Sequence, residues 1–188
     1  MSEEIDLTLL EATEKMDKAI EVAREDFATI RTGRANPAMF TKILVDYYGT
    51  PTPINQLASF QTPEARMIII TPYDKGASSG IEKALRESDL GINPTTDGAI
   101  IRVVLPQLTE ERRKEYIKVA RTKAEDSRIS IRNIRRHAKD TLDRLQKDGE
   151  AGEDDVRRAE KALDDLTHKH VEHVDEILKH KEAELLEV

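Results

Sequence analysis

The chain has 188 residues, of which 36 % are charged, 38 % hydrophobic and only 4 % aromatic, and its net charge is −7. That balance predicts elongated helices with thin apolar seams, and the lack of cysteine excludes disulfides, thiolate nucleophiles and Cys-bound zinc. The opening Met1-Ser2-Glu3-Glu4 has neither a basic stretch nor an apolar run, and no apolar stretch reaches membrane-spanning length. A cytoplasmic protein without membrane contact is therefore expected.

From about Ile5 to Ile30, the apolar residues Met16, Ala19, Ala23, Phe27 and Ile30 recur at helical spacing and predict an amphipathic helix. Gly33 and Pro37 end it. Phe40–Tyr48 and Arg66–Tyr73 are rich in β-branched and aromatic residues and predict strands, with Thr50-Pro51-Thr52-Pro53 and Thr62-Pro63 as turns. Lys75 to Ser88 predicts a short helix with Ile81, Ala84 and Leu85 inward. Asn93-Pro94 then leads to Asp97-Gly98, a hairpin signal ahead of the apolar run Ile100–Leu105. This middle segment is a small β/α/β module.

Thr109 is a good N-cap, and Glu110 and Glu111 complement the positive end of a helix. No Gly or Pro follows until Gly149, so the helix runs about 40 residues, roughly 60 Å. Its seam alternates by three and four through Ile117, Ala120, Ala124, Ser127, Ile131, Ile134, Ala138, Thr141 and Leu145. After Gly149 and Gly152, Glu153-Asp154-Asp155 starts a third helix, with Val156, Ala159, Leu163, Leu166, Val174 and Ile177 on its seam. Helices with one narrow stripe each must pack together. The expected fold class is α+β: an elongated three-helix bundle (1–31 plus 106–188) carrying an inserted β/α/β domain (32–105). Two stretches join the parts, 31–37 and 105–108. They contain the hinge candidates Arg31, Thr32, Gly33 and Arg34, and Leu105, Pro106, Gln107 and Leu108. Rigid packing of one part on the other is the alternative.

Charge is unevenly spread. Residues 109–148 hold 13 basic and 8 acidic groups, whereas 149–188 hold 6 and 13. On the long helix Lys114, Lys118, Arg121, Arg128, Arg132, Arg135 and Lys139 form a stripe about 100° from the seam, joined by Arg136. No acid occurs between Ser127 and Lys139. Such a face can follow an RNA backbone without reading bases. It can equally be a solvated face paired with the acidic helices. His168, His170 and His173 raise a metal site, but His168 and His170 cannot face together on one helix, so no metal is expected. Lys75-Gly76-Ala77-Ser78-Ser79-Gly80 lacks P-loop spacing and reads as a loose helix start. No residue grouping points to catalysis.

Several motifs carry a resemblance. Ile30-Arg31-Thr32-Gly33-Arg34-Ala35-Asn36-Pro37, Asp46-Tyr47-Tyr48-Gly49-Thr50-Pro51-Thr52-Pro53-Ile54 and Ser88-Asp89-Leu90-Gly91-Ile92-Asn93-Pro94 resemble those of ribosome recycling factors. Leu105 to Arg113, Ile131-Arg132-Asn133-Ile134-Arg135-Arg136 and His180-Lys181-Glu182-Ala183-Glu184-Leu185 continue the likeness across the chain. The resemblance implies an L-shaped molecule and a non-enzymatic monomer without cofactor. It also implies partnership with elongation factor G and the large ribosomal subunit, in splitting ribosomes after termination. By position it assigns RNA contact to Arg31, Arg113, Arg132, Arg135 and Arg136; the stripe adds Arg121, Arg128 and Lys139.

Overall fold

The structure is a computed structural model that describes residues 2–187. The elements are α1 (Glu3–Ala28), β1 (Leu44–Tyr47), β2 (Thr50–Pro53), β3 (Ala58–Glu64), β4 (Met67–Pro72), α2 (Ser78–Glu87), β5 (Thr95–Asp97), β6 (Ile100–Val104), α3 (Glu110–Lys147) and α4 (Glu153–Leu186). The chain divides into two compact units. One takes the chain up to Phe27 with Lys118–Glu182; the other takes Ala28–Ile117 with the chain from Ala183.

The first unit is helical. Helix α1 buries Ile5, Thr8, Ala12, Met16, Ile20, Ala23 and Phe27, a single seam at three- and four-residue steps. Helix α3 offers mostly small groups in return: Ala120 and Ala124 are fully buried beside Ile131 and Leu142. Alanine there lets the helix axes approach closely, while Met16, Phe27 and Ile131 each contribute about 2 kcal/mol by leaving water. Thr8 and Ala12 share a hollow with Ile134 and Ala138. Ala19 and Val22 share another with Lys123 and Ser127, so α1 and α3 run antiparallel. Helix α4 lies parallel to α1 and is fastened to it by polar bonds. His170 Nε2 lies 2.7 Å from the Asp17 carboxylate and its Nδ1 lies 2.8 Å from the Leu166 carbonyl, and Arg24 donates to His173 Nε2 at 2.6 Å.

Helix α3 stops where the sequence places glycine. Gly149 takes φ +74°. Its N–H bonds the Gln146 carbonyl at 3.1 Å and that of Glu150 bonds Leu145 at 2.9 Å, the two bonds of a Schellman cap. Just before the turn, Glu160 of α4 faces Asp143 of α3. Burial first, then the hydrogen bond and like charge of Asp143, hold the Glu160 carboxyl above its ordinary value, partly offset by Lys139.

The second unit holds a hairpin, β1–β2, and a four-stranded antiparallel sheet in the order β3-β4-β6-β5. Ile68 and Ile70 of β4 stand opposite Val103 and Ile101 of β6, and all four are fully buried, the period of two that a half-covered sheet requires. Helix α2 covers them with Ile81 and Leu85, and Phe40 and Ile54 complete the core. Gly98 (φ +62°) makes the tight turn between β5 and β6 that Asp97-Gly98 predicts.

Two expected turns are strands. Thr50–Pro53 forms β2, with Pro51 opposite Asp46 and Pro53 opposite Leu44. Proline is tolerated because β2 is an edge strand of a two-stranded ribbon and needs no N–H on its open side. Thr62-Pro63 lies inside β3, where the register shifts between Gln61 and Glu64. Conversely the strand expected over Phe40–Tyr48 is confined to Leu44–Tyr47, because Phe40 ends a 3-10 turn, Pro37–Phe40, which Asn36 caps by accepting the Ala38 N–H.

The glycine-rich start of α2 is a packing device. At Gly80 an added Cβ falls 3.0 Å from the Asp46 carbonyl oxygen and 3.2 Å from Val45, so β1 rests directly on the helix backbone. At Gly76 it falls 2.7 Å from the Tyr48 hydroxyl. Asp74 accepts from Gly76 N–H at 2.9 Å and from the Tyr47 hydroxyl at 2.7 Å. The Tyr47 hydroxyl and then the Gly76 amide hold the Asp74 carboxyl below its ordinary value.

An alanine at an exposed helix position stabilises by up to about 1 kcal/mol relative to glycine. Gly80→Ala is expected to lower Tm instead, because a strand carbonyl is in the way; a rise on thermal melting would contradict the packing. Glu160 binds its proton more tightly folded than unfolded. Its contribution is therefore full below the ordinary carboxylate pKa of about 4 and is lost as pH rises through the raised value. Glu160→Gln is expected to raise Tm by about 2 °C near neutrality and not at acid pH, read by calorimetry across pH.

Candidate nucleic-acid interface

Among the basic residues of α3, the structure separates two groups. Arg121, Arg128 and Arg135, seven apart, reach across to α4. Arg121 bonds Glu182 at 2.8 Å, Arg128 bonds Asp175 at 2.6 Å, and Arg135 bonds Asp164 at 2.7 Å. Arg128 also meets Glu125 at 3.1 Å, and its side chain is only 19 % exposed. Burial pulls the Arg128 guanidinium down, and its bonds to Asp175 and Glu125 more than offset this, leaving it above its ordinary value. The second group points further round the helix. Arg132 is 53 % exposed, with only a long 3.5 Å approach to Glu125. Arg136 and Lys139 are exposed and, among the described residues, engage no ion pair.

The paired-face reading therefore holds for three arginines, and the open-face reading for Arg132, Arg136 and Lys139. The absence of acids between Ser127 and Lys139 spoke only about partners within the helix; the partners come from α4. A signal was present in the sequence: Asp175 and Glu182 are seven apart, matching the spacing of Arg121 and Arg128. Exposed pairs of this kind contribute about 0–1 kcal/mol each, so phosphate oxygens can compete for the same guanidinium groups.

Arg31 and Arg113 lie in the other unit and are set differently. Arg31 is 2 % exposed. One terminal nitrogen donates to the Pro106 carbonyl and the other to the Leu90 carbonyl at 3.4 Å, while Nε has no partner. Burial lowers its pKa, Tyr116 raises it and neighbouring Arg112 lowers it further. The resemblance assigns Arg31 to RNA; in this conformation its guanidinium is turned inward as a fastener. Arg113 is half-buried, its Nε is enclosed without a partner, and it lines an open cleft with Arg34 and Arg66.

The joint segments are tied to the sheet at two points. Ala35 N–H bonds the Ala65 carbonyl at 2.6 Å and Leu105 N–H bonds that of Arg66 at 2.7 Å. Between them and the helices lie Thr32, whose hydroxyl accepts from Arg34 N–H at 3.3 Å, and Pro106, Gln107 and Leu108. The histidines have separate partners: His168 faces Glu172 at 3.0 Å, His170 faces Asp17 and His173 faces Arg24. No group of three or more metal-ligating side chains converges among the described residues, and no described helix is long and apolar enough to cross a membrane.

Fold and charge together define a helical bundle bearing an open arginine face, joined in sequence to a small α+β unit. The chain belongs to the ribosome recycling factor family, whose sequence pattern it matches over residues 23–186. It is 73 % identical to the ribosome-recycling factor of Acidothermus cellulolyticus over 184 residues, covering 98 % of this chain and 100 % of that one. To the factor of Kineococcus radiotolerans it is 71 % identical with the same coverage. A solution structure of a ribosome recycling factor superposes over 100 % of both chains with a TM-score of 0.76 at 38 % identity. A second, from T. thermophilus ribosome recycling factor and E. coli elongation factor G bound to the E. coli post-termination complex, does so at 0.68 and 39 %.

The two kinds of arginine respond differently to substitution. Arg31→Ala leaves two carbonyls and a cavity behind and is expected to cost about 3 kcal/mol in denaturant unfolding. Arg132→Glu is expected to stay within about 0.5 kcal/mol. Equal effects would mean that Arg31 is not a fastener.

Proposed function

We propose that this chain recycles ribosomes in the cytoplasm as a non-catalytic monomer: with elongation factor G and GTP it splits post-termination ribosomes into subunits, freeing messenger and transfer RNA. The observation that carries the mechanism is the open face of Arg132, Arg136 and Lys139 on one unbroken helix. These residues lie on large-subunit ribosomal RNA. Arg121, Arg128 and Arg135 join them by exchanging α4 carboxylates for phosphate oxygens, and Arg113 adds a contact from the helix start. Arginine suits the role because its planar fork meets two phosphate oxygens at once. Family membership supports the reading, as do the models for the T. thermophilus factor and E. coli elongation factor G bound to the E. coli post-termination complex.

In this reading residues 1–31 plus 106–188 act as the docking domain and 32–105 as the domain that meets the GTPase, with 31–37 and 105–108 as the joints. Arg31 serves the joints, since its bond to the Pro106 carbonyl ties one to the other, and it reaches RNA once that bond is released. The histidine partners on α4 and the full-length family match disfavour a metal hydrolase, and a coiled-coil scaffold leaves the second unit without a role.

Ribosome affinity measured against salt tests the face. Replacing Arg132 and Arg136 together by glutamate is expected to weaken binding at least tenfold and to lower the salt slope by about 2. An unchanged slope would remove the face from the mechanism. Gln107→Pro, in the second joint, is expected to slow subunit splitting while sparing binding; loss of both in equal measure would contradict a hinge there.

A further inference from the structure

The three seams of the helical unit are closed differently. Polar contacts of Asp17 and Arg24 with histidines fasten α1 to α4, and three arginine–carboxylate pairs fasten α3 to α4. The seam between α1 and α3 instead holds two hollows, of about 380 and 110 Å³, which meet at Lys15 and form one groove. The groove follows α1 from Thr8 to Asp26, 18 residue steps and therefore about 27 Å. Its floor is apolar and low, made by Ala12, Ala19, Val22, Ile134 and Ala138, with Val22 48 % exposed. Small side chains of this kind admit another helix close to the axis, as Ala120 and Ala124 do inside the bundle. On the rim stand Lys15, Lys18 and Lys123, none of which has an ion pair or side-chain hydrogen bond among the described residues. Glu11, Asp26 and Asp126 interrupt them. Nine positions separate Lys123 from Arg132, about 180° round α3, so the groove opens on the side of that helix opposite the open arginine face.

We propose that this groove is the docking site for an amphipathic α-helix of a partner protein, seated by an apolar ridge and by carboxylates that meet Lys15, Lys18 and Lys123. Its length takes about five helical turns, and an apolar floor between polar rims receives the apolar face of such a helix. Charge selects protein as the occupant. The lysines lack acidic partners of their own and call for carboxylates, whereas Glu11, Asp26 and Asp126 repel a continuous phosphodiester chain. No arginine, the side chain best suited to phosphate, lines the groove among the described residues. The assignment rests on the RNA-docking reading in one respect: with Arg132 and Arg136 against RNA, the groove faces away from it and stays open to a protein.

The chain has no tryptophan, so a peptide carrying one reports its own burial. The probe is a synthetic amphipathic peptide of about 18 residues, with leucines and one tryptophan at helical spacing and glutamates beside the middle of that ridge. Titrated into the full chain, it is expected to shift its emission to the blue. Binding is expected to weaken about tenfold in Lys15→Glu with Lys18→Glu, and likewise in Val22→Asp. These side chains are exposed, so the variants are expected to keep the circular dichroism of the parent. Equal binding of a peptide with lysine in place of glutamate, or no shift at millimolar peptide, would overturn the proposal. Displacement by a uridine hexanucleotide would overturn it in favour of RNA. A mass that rises with chain concentration and falls back in Val22→Asp would overturn it in favour of a second copy. The assay contains no ribosome, so a negative result leaves subunit splitting standing, and a failure of splitting leaves the groove standing.

Discussion

Helix α3 must bury a seam on one side while carrying a dense row of arginines on another, and α4 decides which of them stay available. The carboxylates of Asp164, Asp175 and Glu182 take Arg135, Arg128 and Arg121 at 2.6–2.8 Å. Arg132, four residues on from Arg128, is turned about 40° further round the helix and beyond that reach. Arg136 is turned further still. The acidic helix thus divides the basic row, holding Arg121, Arg128 and Arg135 on its own side and leaving Arg132 and Arg136 facing solvent. A net charge of −7 is compatible with RNA contact because the charge is segregated: residues 109–148 hold 13 basic and 8 acidic groups, and residues 149–188 hold 6 and 13.

The same economy of small residues recurs elsewhere. Ala120 and Ala124 let the helices approach, and Gly76 and Gly80 let a hairpin rest on α2. Each replaces side-chain volume by backbone proximity, which is how a chain with 4 % aromatic residues builds two well-filled cores. In the second unit, Arg31 spends a charged group on two carbonyls, Leu90 and Pro106, and buries it without a carboxylate nearby. A buried cation so placed holds its loop in one arrangement while that arrangement lasts, and it loses every bond if the segments part.

Much of this was legible in residues. The absence of Gly and Pro between Thr109 and Gly149 gave α3 its length to within a turn, and Asp97-Gly98 located its hairpin, because backbone constraints are local. Thr50–Pro53 misled because proline in a run of Thr is a turn signal unless the strand is an edge, and edges are set by pairing. The stripe was visible, but its division was not. Which arginine meets α4 depends on the rotation of two helices about each other, which periodicity approaches only when both partners are read together. Burial of Arg31 was invisible for a plainer reason: the sequence shows a charge among hinge-like residues and not the carbonyls that enclose it.

The account stands most directly on subunit splitting. Post-termination ribosomes mixed with the chain, elongation factor G and GTP, followed by light scattering, are predicted to lose intensity as subunits separate, and to lose none when either the chain or GTP is withheld. Scattering that stays constant with all components present and the protein folded would contradict it.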